Sequence, residues 1–200
     1  MRKIAVAVEC FHKASLIHDD IEDEDHERYG QRTLHDEHGV AVALNAGDLL
    51  IGEGYRLIGE CSALSAEQKA EMLLVAAEGQ RELCQGQGAE LAWARNQQQL
   101  KTAQVIEIFR QKTAPAFGVA LKMGASFAGK LEEYRAPLDG YSEALGIAYQ
   151  IKDDLDDLDE DAGDNKMECI RPSVVLSKGR ELAKGDDRKL MTDLWNGDVE

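Results

Sequence analysis

An apolar helical stripe that ends in carboxylates sets the strongest constraint in this sequence. Ile4, Val8, Phe11 and Ser15 recur at three- and four-residue steps, and Asp19 and Asp23 continue the rhythm on the same side. Acids therefore stand where a core face should continue. Within Ser15-Leu16-Ile17-His18-Asp19-Asp20-Ile21-Glu22-Asp23, Asp19 and Asp23 are like charges one turn apart. Such a pair costs an isolated helix roughly 0.2–0.5 kcal/mol and calls for a compensating positive charge. A divalent cation meets that need; a solvated helix end is the plainer alternative.

A second cluster, Asp153-Asp154-Leu155-Asp156-Asp157, repeats the pattern after the apolar run Leu145, Ile147, Ala148 and Ile151. Two such clusters, each at the mouth end of an apolar helix, are expected to face one another across a cavity and hold Mg²⁺ between them. Mg²⁺ takes oxygen ligands octahedrally, keeps several waters, and is commonly completed by substrate phosphates rather than by an all-protein cage. The expected ligand is a diphosphate.

Further motifs stand in order along the chain: Arg28-x-Gly30-x-x-Thr33, Asn45-Ala46-Gly47-Asp48, Gly86-Gln87, Lys112-Thr113-Ala114 and Gln150-Ile151-x-Asp153-Asp154. With the two acidic clusters they give a sequence that resembles the trans-isoprenyl diphosphate synthases, or polyprenyl synthetases, up to about Arg171. The resemblance implies an Mg²⁺-dependent prenyltransferase that condenses an allylic prenyl diphosphate with isopentenyl diphosphate. It implies metal ligation by Asp19, Asp20, Asp23, Asp153, Asp154 and Asp157. Lys112 and Arg28 would supply positive charge to the departing pyrophosphate, and Thr113 and Gln150 would face the allylic cation. His12, seven residues before Asp19, resembles the family's contact to isopentenyl diphosphate, with a core histidine as the alternative. Lys166 stands near the place of a family lysine, one residue short in spacing. A dimer, or a heteromer with a related subunit, is also implied.

Length and composition bound the fold. Two hundred residues that are 44% hydrophobic and 6% aromatic suffice for one domain, residues 1–200, with a sizeable aliphatic core. The expected architecture is an all-α antiparallel bundle around a deep apolar cavity, isoprenoid synthase-like. A net charge of −15 argues against nucleic acid or an anionic membrane as partner. Cys10, Cys61, Cys84 and Cys169 show no paired spacing and read as reduced, mostly buried thiols. No run approaches the roughly 18 apolar residues of a membrane span, so a cytoplasmic protein is expected.

In order, helices are expected over residues 2–23, 39–60, 65–95 and from 102 onward, with a polar loop at 24–36. Ser65 and Gln68 form a capping box. The next helix is expected to start at a Thr102 cap and to kink at Pro115, freeing carbonyls near Lys112. The Gly86-Gln87-Gly88 run weakens a helix interior, residues 130–139 read as a connector holding Pro137, and 140–157 as the second acidic helix. Residues 172–200 suggest one short helix and a frayed tail. His35 and His38, one turn apart, lack the fuller ligand set of a zinc site.

The growing prenyl tail would run down the first helix past Ser15, Ala14 and Phe11 in turn. Small side chains at Ser15 and Ala14 leave room, and Phe11, about two turns below Asp19, would close the pocket at geranylgeranyl length. Departures from the family concern the acceptor: Tyr29 replaces the second arginine of its Arg-Arg-Gly, Arg32 replaces a proline, and the expected Gly-Lys-x-x-Arg segment is missing from a chain shorter at both ends. A degenerate, non-catalytic subunit that binds a partner or a prenyl diphosphate is the second reading. A metal phosphohydrolase, suggested by His18-Asp19, would require histidines beyond His38, and none follows.

Overall fold

The computed structural model describes residues 1–161 and 171–195, save the side chains of 157–161 and 194. Lys166, Cys169 and the side chain of Asp157 lie outside the described residues. Helices α1 (Arg2–Glu22), α2 (Leu34–His38), α3 (Val40–Gly59), α4 (Ala66–Arg95), α5 (Thr102–Phe127), α6 (Leu131–Asp161), α7 (Val174–Leu182) and α8 (Gly185–Trp195) make the described chain all-α. The exception is one short hairpin, β1 (Glu27–Arg28) and β2 (Gln31–Arg32), within the stretch expected to be loop. Two compact units result, Met1–Glu78 with Val119–Arg135 and Gly79–Gly118 with Ala136–Glu200.

In the first unit α1 and α3 run antiparallel, since Lys3 Nζ reaches the Glu60 carbonyl while Phe11 meets Gly54 and His18 meets Gly47. The buried line on α1 passes through Ile4, Ala7, Phe11, Ala14 and His18, with Ala7 and Ala14 fully covered. It is rotated by one residue from the Ile4–Val8–Phe11–Ser15 stripe, so Ser15 is exposed. Small residues decide the difference: Ala14, Gly47 and Gly54 let the helices approach, and approach strengthens dispersion contact. Ile4, Ala7, Ile58, Met72, Val75 and Met123 form the core of this unit.

Helix α4 begins as expected, with reciprocal bonds from the Ser65 amide to Gln68 Oε1 and from the Gln68 amide to Ser65 Oγ. Its buried face is Met72, Val75 and Ala76; Leu74 and Ala77 face outward. The connector expected at 130–139 shrinks to three residues. Gly129, at φ 68°, closes α5 with a Schellman pattern in which Lys130 N–H bonds the Ala125 carbonyl and Gly129 N–H the Ser126 carbonyl. Helix α6 then runs through Pro137, as α5 runs through Pro115. Each proline removes one backbone bond without ending its helix.

The second unit has its own core of Trp93, Val105, Phe109 and Trp195. Trp195 is fully buried edge-to-face with Trp93, 5.8 Å between centroids, and Arg180 lies over its ring at 5.4 Å. Where one short helix and a frayed tail are expected, residues 174–195 form two helices, α7 and α8, with an aromatic anchor. Thr102 is the first residue of α5 and not the flanking cap; its amide donates to Glu181 at 2.9 Å. Cys61 is buried as expected, whereas Cys84 is exposed.

Candidate functional site

The first acidic motif occupies the last turns of α1. Adjacent helix positions point about 100° apart, so Asp19 and Asp20 differ in burial. Asp19 keeps 34% of its side chain exposed, while Asp20 turns inward and retains 8%. There Arg28 Nε donates to Asp20 Oδ1, with Arg28 Nη2 3.7 Å from Asp19 Oδ2 and 3.6 Å from Asp25 Oδ2. Burial of the guanidinium opposes its charge, yet the hydrogen bond to Asp20 and the charges of Asp20, Asp19 and Asp25 outweigh that and raise its pKa. Part of the positive charge demanded by the aspartates is thus built in.

A tight turn presents Arg28. Tyr29 and Gly30 both have positive φ, 54° and 75°, the signature of a type I′ hairpin whose twist matches its strands. Thr33 Oγ1 anchors the return by donating to the Asp25 carbonyl at 2.7 Å, and Arg32 Nε donates to Asp36 Oδ2 at 2.5 Å. Below the motif, His18 Nε2 lies 3.6 Å from Asp48 Oδ1. A Cβ on Gly47 would stand 2.2 Å from that nitrogen, so glycine there is what admits the ring.

In the second unit Asp153 and Asp154 are neighbours on α6. Asp154 Oδ2 accepts from the amides of Val174 and Val175, at 2.7 and 3.1 Å, which satisfies two of the donors that open α7. Ser173 Oγ accepts a third, from Leu176. Asp153 is half-buried, and Asp156 is bound by Lys152 on the same helix.

Lys112 is a residue of the same unit, and its partner was not anticipated. Its Nζ donates to Glu90 Oε1 at 2.9 Å, with side chains 13% and 9% exposed. Gly86 makes the approach of α4 to α5 possible, since a Cβ there would meet the Lys112 backbone nitrogen at 2.4 Å. Glu90 follows Gly86 by four residues and Gln87 by three, on one helical face, so an acid on a buried stripe was the signal available in the sequence. Gln87 Nε2 is buried and finds no hydrogen-bond partner among the described residues. Thr113 and Gln150 are half-buried, and Gly146 lets α6 approach Ala114.

The other sequence-derived residues are placed as follows. Phe11 packs over Gly54, where a Cβ would come within 2.5 Å of its ring, and edge-on to Tyr55 at 5.0 Å between centroids. Ala14 is buried, and Ser15 bonds the His12 carbonyl of its own helix. His12 is exposed, with Nδ1 3.4 Å from Glu9 Oε2. Among the described residues no three or more His, Cys, Asp or Glu side chains converge into a ready-made metal cage. The donors themselves are hard carboxylate oxygens, which suit an ion that leaves much of its shell to water and phosphate. Mg²⁺ fits that set better than zinc.

A family model described as polyprenyl synthetase matches residues 1–184. The short chain isoprenyl diphosphate synthase of Methanocaldococcus jannaschii is 30% identical over 98% of this chain and 61% of its own length. In structure, geranylgeranyl pyrophosphate synthetase from Pyrococcus horikoshii matches with a TM-score of 0.80 and 30% identity, over 95% of this chain and 60% of that one. A geranyltransferase from Helicobacter pylori, complexed with magnesium and isoprenyl diphosphate, matches at a TM-score of 0.77 and 25% identity over 98% and 66%. The chain thus spans about three fifths of the length of the first two.

Proposed function

The chain belongs to the polyprenyl synthetase family, and from that premise we propose that it is an Mg²⁺-dependent prenyltransferase that extends an allylic prenyl diphosphate with isopentenyl diphosphate. The observation that carries the reading is the family match itself, because residues 1–184 include both acidic motifs together with Arg28 and Lys112.

Mg²⁺, bound by aspartate carboxylates, would neutralise the diphosphate and ease departure of pyrophosphate. The chain's own residues do the rest. Arg28 adds a guanidinium to the same task, pre-positioned by Asp20 and so needing little reorganisation when negative charge develops. Lys112 adds a second fixed cation, held by Glu90. Thr113 and Gln150 turn oxygen dipoles toward the allylic cation, and aliphatic side chains keep away water that would quench it. His12 and Lys166 contact the diphosphates. Tyr29, exposed at the hairpin turn where the family carries arginine, weakens the grip on isopentenyl diphosphate.

Product length in this reading is set on α1, where Ala14 is small and Phe11, seated on Gly54, would stop the growing tail, which gives a geranylgeranyl diphosphate product. Assembly with a second copy or a related subunit is part of the same reading. It is supported by Val42 and Leu49 of α3, apolar yet 54% and 69% exposed. No described helix is long and apolar enough to cross a membrane.

Incubation with farnesyl diphosphate, isopentenyl diphosphate and Mg²⁺, followed by dephosphorylation and chromatography, tests the reading. Geranylgeraniol that vanishes with EDTA is the expected result. Tight binding of farnesyl diphosphate with no elongated alcohol would favour the non-catalytic subunit instead.

A further inference from the structure

The core of the second unit lies one helical turn from both members of the Glu90–Lys112 pair. Trp93 follows Glu90 by three residues on α4, and Phe109 precedes Lys112 by three on α5, so each stands beside its neighbour on one helical face. Trp93, Val105, Phe109 and Trp195 form one buried cluster. Three of the four come from the helices that carry the pair. The fourth, Trp195, is brought in by α8.

Two partners hold Trp195. Its ring meets Trp93 edge-on, at 83° and 5.8 Å between centroids, and Arg180 of α7 lies over it at 5.4 Å. Arg180 is itself buried, and its Nη2 donates to the Leu100 carbonyl at 2.6 Å, in the turn that joins α4 to α5. Glu181 beside it accepts the amide of Thr102, the first residue of α5, at 2.9 Å. Trp93 Nε1 closes the same turn by donating to the Gln98 carbonyl at 2.6 Å. Helices α7 and α8 therefore fasten both the turn between α4 and α5 and the core next to it. We propose that Trp195 and Arg180 are positioning residues for Lys112: α7 and α8 fix the spacing of α4 and α5, and that spacing sets the Glu90–Lys112 contact.

Close packing gives the reason. A large side chain removed from a dense cluster is made good only by movement of what surrounds it. Trp195 is the largest of the fully buried side chains. Movement of Trp93 or Phe109 carries the adjoining turn, and with it Glu90 or Lys112. Their bond, at 2.9 Å, lengthens beyond good geometry within a few tenths of an ångström, since such bonds end at about 3.2 Å. The indole nitrogen of Trp195 finds no hydrogen-bond partner among the described residues. The ring thus acts through its faces and edges, and phenylalanine can take over much of its part.

The bearing on catalysis rests on the proposed function; the positioning of Lys112 does not. The readout is the nitrogen-15 resonance of the Lys112 ammonium group in protein without ligands, which burial and Glu90 should keep in slow exchange. Trp195→Phe should retain it. Trp195→Ala should lose it to exchange, and so should Arg180→Met, which keeps a long apolar stem and gives up both the bond to Leu100 and the charge over the ring. Ile58→Val, a core change in the first unit, should lower Tm and leave the resonance in place. With farnesyl diphosphate, isopentenyl diphosphate and Mg²⁺, Arg180→Met should lower kcat roughly tenfold with little change in KM, because Lys112 acts as pyrophosphate departs. A resonance unchanged in both Trp195→Ala and Arg180→Met would overturn the proposal, however far their Tm falls. Loss of the resonance in Ile58→Val as well would also overturn it, since general loosening would then suffice, and its absence from the parent would deny the buried pair on which the proposal stands. Should Trp195→Ala fail to fold, Arg180→Met decides. A parent that makes no product defeats the proposed function and leaves the resonance to decide the positioning; an unchanged kcat beside a lost resonance removes Lys112 from the reaction and leaves the positioning standing.

Discussion

Lys112 and Glu90 form an ion pair at 2.9 Å that is almost sealed from water on both sides. Removing one member of such a pair leaves an uncompensated charge and costs about 3–5 kcal/mol, whereas replacing both by apolar groups is often neutral. Glu90→Leu should therefore lower Tm strongly, and Lys112→Met added to it should recover most of the loss. Calorimetry of the single and double variants checks this. Equal Tm values for Glu90→Leu and the parent would contradict a buried pair.

Glycines give a paired prediction. A Cβ at Gly86 or Gly146 would meet backbone atoms of Lys112 or Ala114 at 2.4–2.5 Å, which cannot move aside, so Gly86→Ala and Gly146→Ala should destabilise. At Gly52 nothing lies within 4 Å. Gly52→Ala should instead stabilise by about 0.5–1 kcal/mol through helix propensity. Urea midpoints of the three variants give the sign of each.

The hairpin carries a pH signature. The hydrogen bond from Arg32 outweighs burial and, with His26 and the charge of Arg32, holds the Asp36 carboxyl below its ordinary value of 3.8. A depressed folded pKa means that this contribution to stability is complete above the unfolded value and fades as pH falls through the folded one. Carbon-13 titration of Asp36 should show the depressed value, and Arg32→Ala should move it upward. No movement would mean that the pair does not persist in solution.

Product length should respond to α1. Ala14→Phe should shorten the prenyl product and Phe11→Ala should lengthen it, as read from the dephosphorylated alcohols. Because Ala14 is buried, the larger side chain should also cost about 1–3 kcal/mol of stability. An unchanged product from Phe11→Ala would place the floor on another helix.

Local signals made much of this legible in the sequence. Helical periodicity gave α1, α3 and α4, and Ser65 with Gln68 gave the start of α4, since each cue lies within a few residues of its effect. Pro137 misled because one lost backbone bond does not end a helix of 31 residues. Gly86 misled because its role is an approach to Lys112, 26 positions away. Trp195 looked like tail until Trp93 covered it. The engagement of Asp154 was illegible for the same reason: its partners, Val174 and Val175, lie a long way along the chain. Asp19 and Asp154 read alike as letters and differ only in what surrounds them.

The most direct test of the account is the thermal response to Mg²⁺ with pyrophosphate. Ligand-linked stabilisation follows RT ln(1 + [L]/Kd), about 2.7 kcal/mol at a hundredfold excess over Kd, or a rise in Tm of about 5–10 °C for a chain of this size. Mg²⁺ alone should do little, because the diphosphate completes its shell. The account predicts the full rise for the parent and none for Asp19→Ala combined with Asp153→Ala. An undiminished rise in that double variant, or no rise in the parent, would contradict it.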